Sequence, residues 1–209
     1  MAKVKFGLKN IHLFKLTETT DSETGAVTGE YGNSMACPGA VSLELDVEND
    51  EPSPFYADDS VYYQPAAISK GYNGNLTLAK LSDDIKTAFL NFVKDQDNTV
   101  IEVDGTEKKY FGMTCETDSD DMPIKKVFYK CSFGLPGVSM NTIEDQKTPE
   151  TDQVPISIIP TAEKFSYIDA DGNTRITSVV SGTADKNSDT TVYNNWHQTP
   201  HMPNFDAES

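Results

Sequence analysis

The eight residues Val41-Ser42-Leu43-Glu44-Leu45-Asp46-Val47-Glu48 alternate apolar with polar or acidic side chains at a period of two. Successive side chains on a β-strand point to opposite faces, so this run describes a strand with apolar groups on one side and carboxylates on the other. A sheet face built this way is wet, negative and rigid. The run lies inside a longer stretch, residues 16–69, that contains no Lys or Arg. That stretch carries eleven carboxylates: Glu18, Asp21, Glu23, Glu30, Glu44, Asp46, Glu48, Asp50, Glu51, Asp58 and Asp59. The formal net charge of the chain is −16, so these residues supply −11 of it and the remainder is close to balanced.

Such a balance argues against a nucleic-acid binder, which needs Lys and Arg to displace phosphate counterions. It does not argue against a protein that works near DNA without holding it. A length of 209 residues fits one domain, and 37 % hydrophobic content supports a core without making it generous. A thin core in a long chain predicts extended arms that are ordered against partners. No apolar run reaches the ~20 residues that span a bilayer. The start, Met1-Ala2-Lys3-Val4-Lys5-Phe6, lacks the apolar stretch of a signal peptide, which predicts synthesis in a cytosol. Cys37, Cys115 and Cys131 are odd in number and form no CxxC pair. Cys115 and Cys131 could face each other across a hairpin, but buried free thiols are the expectation.

Along the chain, residues 4–16 read as an extended strand or arm. Residues 17–36 are rich in Thr, Ser, Gly and acid and read as a long loop that works outside the subunit. Strands are expected at 40–48, near Val61-Tyr62-Tyr63, and at 75–81 after Asn73-Gly74. Residues 82–94 predict the single helix: Ser82 caps it, Asp83 and Asp84 sit at its positive end, and Ile85, Ala88, Phe89, Phe92 and Val93 form one apolar stripe. Asp104-Gly105 predicts a hairpin between residues 100–103 and 109–113. A meander continues to 126–133, strands follow at 154–160, 165–168 and 175–180, and Asp171-Gly172 turns the last pair. Residues 182–209 read as a polar C-terminal arm. The fold class is mainly β with one α-helix, antiparallel throughout, in a single domain of residues 1–209.

Candidate chemistry is sparse. Asp169-Ala170-Asp171-Gly172 has its glycine too early for a calcium loop, and Val180 stands where a bidentate Glu is needed. His197 and His201 have the spacing of helical metal ligands, but Pro200 lies between them. His12 reads as a packing or interface residue. There is no glycine-rich phosphate loop and no Gly-x-Ser-x-Gly elbow. No catalytic, cofactor or metal residues are therefore assigned, and the chain is not expected to be an enzyme.

Several segments resemble the major tail tube proteins of long, non-contractile bacteriophage tails. They are Gly7-Leu8-Lys9-Asn10, Pro38-Gly39-Ala40-Val41-Ser42-Leu43, Pro54-Phe55-Tyr56-Ala57-Asp58-Asp59, Val61-Tyr62-Tyr63, Tyr72-Asn73-Gly74, Val127-Phe128-Tyr129-Lys130-Cys131 and Tyr193-Asn194-Asn195-Trp196. They run in order over nearly the whole chain, while residues 17–36 look longer than the family's connection. The resemblance implies an antiparallel β-sandwich or barrel-like fold with a flanking helix, and hexameric rings that stack into a tube. It implies self-association, with residues 1–16, 17–36 and 182–209 making contacts between rings. It also implies a tape-measure protein, a tail terminator and tail-tip proteins as partners, assembly in the host bacterial cytoplasm, and residence in the virion tail. Duplex DNA would pass through the lumen without specific binding.

A wall lined with lysine would hold the phosphates, whereas an acidic wall repels them weakly within the ~8–10 Å Debye length. The lumen candidates are Glu44, Asp46 and Glu48, with Ser42 on the same face, or Glu102, Glu116 and Asp118 on the meander. Alternation shows a shared face and leaves open which way it points. The competing reading is a β-rich virion decoration protein or a host-glycan-binding adhesin, with Tyr56, Tyr62, Tyr63 and Tyr72 as an exposed platform.

Overall fold

The period-two segments pair as long antiparallel strands. The computed structural model describes residues 4–50, 53–64, 68–105, 107–138, 140, 142 and 149–205. Strand β1 (Lys5–Thr20) turns back into β2 (Val27–Ala36), pairing Thr20 with Val27 and His12 with Ala36. After Cys37, whose amide donates to Ile11 O at 2.8 Å, the chain enters β3 (Ala40–Asp50). A small hairpin of β4 (Phe55–Ala57) and β5 (Ser60–Tyr63) precedes β6 (Ile68–Leu78), which pairs with β3. Helix α1 (Asp83–Phe89) and the ribbon of β7 (Phe92–Lys94) and β8 (Val100–Glu102) lead to β9 (Tyr110–Ser119) and β10 (Ile124–Phe133). Then come β11 (Asp152–Ile158), the ribbon of β12 (Phe165–Ile168) and β13 (Thr174–Thr177), β14 (Ser181–Ala184) and α2 (Thr190–Asn195).

The main sheet runs β2-β1-β9-β10-β11-β6-β3, with β14 added on β10, and every pairing is antiparallel. It curls around one core that takes Ile11 and Leu13 from β1, Leu76 and Leu78 from β6, Phe111 and Met113 from β9, Cys131 from β10, and Val154, Ile156 and Ile158 from β11. Ile85 and Phe89 of α1, with Leu90 just after it, close that core. All three thiols are free and buried, as their number suggested. The chain is mainly β and antiparallel.

Four sequence expectations need correction. Residues 17–36 are not a loop: they are the ends of β1 and β2 joined by a short turn. Thr-rich segments are good strand formers, and Asp21 organises the turn by accepting from Glu23 N and Thr24 N, with Gly25 at φ +69°. The helix spans 83–89 rather than 82–94. Ser82 caps it as expected, but Leu90 turns to extended backbone and ends it, and Lys109 Nζ donates to the freed carbonyls Thr87 O at 3.0 Å and Leu90 O at 2.7 Å. Asp104-Gly105 does not turn a hairpin; β8 pairs instead with β7, Phe92 opposite Glu102, through a turn held by Asp95 with Asn98 at φ +60°.

The fourth correction concerns residues 182–209. Those described fold back on their own subunit as β14, α2 and a following segment, so the chain has a second helix. Tyr193 and Trp196 are the reason: with Val127, Tyr129 and Ala184 they form a second apolar cluster on the sheet face opposite the main core. Trp196 Nε1 donates to Lys126 O at 3.1 Å and Tyr193 OH to Pro123 O at 2.8 Å, which seats the helix.

Candidate functional site: an acidic strand on an open edge

The alternation in β3 is realised. Leu43 and Leu45 pack on the core, while Glu44, Asp46 and Glu48 are exposed. Across the pair, Glu44 faces Asn75 and Asp46 faces Asn73, and Pro155 and Ser157 of β11 continue the row. The result is a row of uncharged side chains, Asn73, Asn75, Pro155 and Ser157, bordered by three carboxylates. Asn73 Nδ2 donates to Glu48 Oε2 at 2.7 Å, which fixes one of them. Ser42, opposite Thr77, is half-buried beside a bulge at Ala40/Ser42. Val41 and Val47 break the pattern, since they lie on the apolar face but beyond the core, 55 % and 53 % exposed.

Close backbone approach is needed to hold this strand. A Cβ on Gly74 would lie 1.8 Å from Glu44 O, and one on Gly71 would lie 1.9 Å from Ile158 O, so both sites require glycine. Strand β3 pairs with β6 on one side, and its other side ends the sheet path, as β2 ends it at the opposite limit. Long open edges are templates for another chain unless covered.

The β4–β5 hairpin follows β3 in the chain and forms a separate two-stranded sheet. Asp58 and Asp59, at φ +49° and +60°, make the tight turn that joins its strands. Phe55, Tyr56, Val61, Tyr62 and Tyr63 are all exposed, Tyr62 to 76 %, with Phe55 pairing Tyr63 and Tyr56 pairing Val61. An antiparallel pair sends alternate rows to opposite faces, so this ribbon is apolar on both sides. Tyr72 differs, being half-buried edge-on to Phe128 at 6.3 Å.

The remaining acids named from the sequence lie elsewhere. Glu102 is exposed on the β7–β8 ribbon, which is a separate sheet from that of β3. Glu116 is only 7 % exposed, on the face covered by the C-terminal segment, so it lines no open surface. Its carboxylate meets Lys9 Nζ at 3.3 Å and His197 Nε2 at 3.3 Å. Burial raises its pKa, but those hydrogen bonds outweigh burial and hold it below the usual carboxylate value. Asp118 is half-exposed and paired to Lys9 at 2.6 Å. The structure thus brings Glu44, Asp46 and Glu48 together and leaves the other three apart.

No other constellation suggests chemistry. Asp169 accepts from Asp171 N, Asn173 N and Arg175 Nε, so it organises the β12–β13 turn. Among the described residues there is no group of His, Cys, Asp and Glu that could hold a metal ion. No described helix is long and apolar enough to cross a membrane. No protein-family model matches the chain, and no curated protein is significantly similar to it.

Proposed function

We propose that the chain is a structural, self-assembling subunit, and that the assembly is the tube of a long, non-contractile phage tail. The observation that carries this reading is unsatisfied surface. Among the described residues no strand pairs with the outer edge of β3, and its exposed face carries Glu44, Asp46 and Glu48. The β4–β5 hairpin that follows it in the chain is apolar on both faces. A two-sided apolar ribbon is satisfied only when inserted between partners, and an open edge only when paired. A second copy supplies both, and a head-to-tail contact that closes gives a ring. The ordered resemblance of its segments to tail tube proteins supports the choice of assembly. In this reading Glu44, Asp46 and Glu48 line the lumen and repel passing DNA weakly, and Glu116 plays no part in it.

Purified full-length protein imaged in negative stain is expected to form stacked rings with a central hole. Glu44→Lys with Asp46→Lys should still assemble, because both side chains are exposed and off the core face, yet slow DNA ejection from reconstituted tails. Normal ejection kinetics from fully assembled variant tails would remove these residues from the lumen.

A glycan-binding decoration protein or adhesin is the second reading, favoured by the exposure of Tyr56, Tyr62 and Tyr63. It requires that the protein stay monomeric and bind host-surface glycan, with binding lost in Tyr62→Ala.

A further inference from the structure

All three histidines of the chain, His12, His197 and His201, lie where the C-terminal segment meets the sheet. The rings of His12 and His197 stack at 5.0 Å. His12 Nδ1 lies 2.7 Å from Ser34 Oγ, and Ser34 Oγ donates to His197 O at 2.9 Å. Because the serine proton is committed to that carbonyl, His12 Nδ1–H is the donor to Ser34. On the other ring, Nε2–H of His197 points at Glu116 Oε2, and Nδ1 lies 2.9 Å from Thr114 Oγ1, from which it accepts. Neutral imidazoles satisfy every one of these bonds.

We propose that the stacked His12–His197 pair is an acid-sensitive latch that holds residues 185–205 against the sheet of their own subunit. The charged groups facing it are Lys9 from β1, Glu116 and, through Lys9, Asp118 from β9, and Lys125 from β10, which donates to Tyr193 O at 2.9 Å. A proton on His197 Nδ1 would force the buried Thr114 hydroxyl to turn from donor to acceptor, and the charge of Lys125 disfavours it. A proton on His12 would then place a second charge 5.0 Å away. Glu116 can balance one of them, but it is already shared with Lys9. Burial lowers the pKa of both rings, and for His197 the neighbouring His12 and Lys125 add to burial while Glu116 opposes it. A histidine with a folded-state pKa below its unfolded value of about 6.5 contributes full stability above that pH. The contribution is lost as pH falls from there through the depressed folded value. The latch is therefore closed at neutral pH and opens on acidification.

Opening would expose Val127, Tyr129 and Trp196 and free the segment from its own subunit. This latch stands independently of the tail tube reading, since it concerns contacts within one chain. Trp196, the single tryptophan, is 3 % exposed inside the latched segment with the His201 ring stacked on it at 6.1 Å, so access of a quencher to it, rather than its emission alone, reads the latch. Acrylamide quenching of full-length protein is expected to rise several-fold between pH ~7.5 and ~5.5, with strand content by far-UV circular dichroism unchanged. His12→Gln keeps a polar partner for Ser34 and removes one of the two charges, so it should move the midpoint to lower pH. Proton NMR of the wild-type chain supplies a readout without mutation: the His12 and His197 ring signals should both titrate below the ordinary histidine value. Quenching that does not change with pH, a midpoint unmoved by His12→Gln, or either ring titrating at or above its ordinary value would overturn the latch.

Discussion

Gly74→Ala is expected to detach β3 from β6, lowering stability by about 3 kcal/mol, the upper end of what overpacking costs. The added methyl would sit 1.8 Å from Glu44 O, 2.8 Å from its carbonyl carbon and 3.0 Å from Leu45 Cα. All three are backbone atoms of the paired strand, so no side-chain rotation relieves the overlap. The pairing from Glu44–Asn75 through Asp46–Asn73 must open, and Leu43 and Leu45 lose their packing on the core. Thermal unfolding should show a drop of roughly 6–12 °C, scaled from the general entropy of unfolding. Assembly should fail at temperatures where the variant is still folded, because the strand that carries the open edge is displaced. An unchanged melting temperature would mean that β3 does not approach β6 as closely as described.

Phe111→Ala is expected to cost about 3–5 kcal/mol, the range for emptying a buried aromatic site. Phe111 is fully buried on β9 between Phe89 of α1, 5.1 Å away between ring centroids, and Phe133 of β10 at 4.4 Å. It joins the helix to the centre of the sheet. Its loss leaves a cavity lined by strands that cannot collapse, because their backbone pairing fixes their spacing. Denaturant unfolding should show a lower midpoint with an unchanged slope. A loss below about 1.5 kcal/mol would indicate that the site refills, which the aromatic packing here argues against.

Sequence reasoning succeeded where local chemistry and tertiary structure agree. The alternation of residues 41–48, the Ser82 cap followed by Asp83 and Asp84, the Asp171-Gly172 turn and the buried thiols all appear in the fold. It failed where a second layer decides. Residues 190–196 contain only two large aromatics in a polar background, too short a pattern to announce a helix, yet those two rings anchor the segment. Covering that face also changes the meaning of β9. Glu116 reads from the sequence as a lumen candidate on the meander, but residues 111–116 are buried on both faces and Glu116 becomes an internal ion-pair partner rather than an open acid. The β1–β2 extension was missed because Thr and Ser read as loop residues by polarity and as strand residues by shape. The run Asp21-Ser22-Glu23-Thr24-Gly25 between Thr-rich segments was the available signal.

The edge of β3 and the β4–β5 hairpin are the features on which the functional reading depends, and both are statements about what covers them. Negative-stain electron microscopy of the purified full-length chain over a concentration series tests this directly. The expected result is rings with a central hole that stack into tubes as concentration rises. Particles that remain single subunits at every concentration, with no ring or tube, would contradict the self-assembly account.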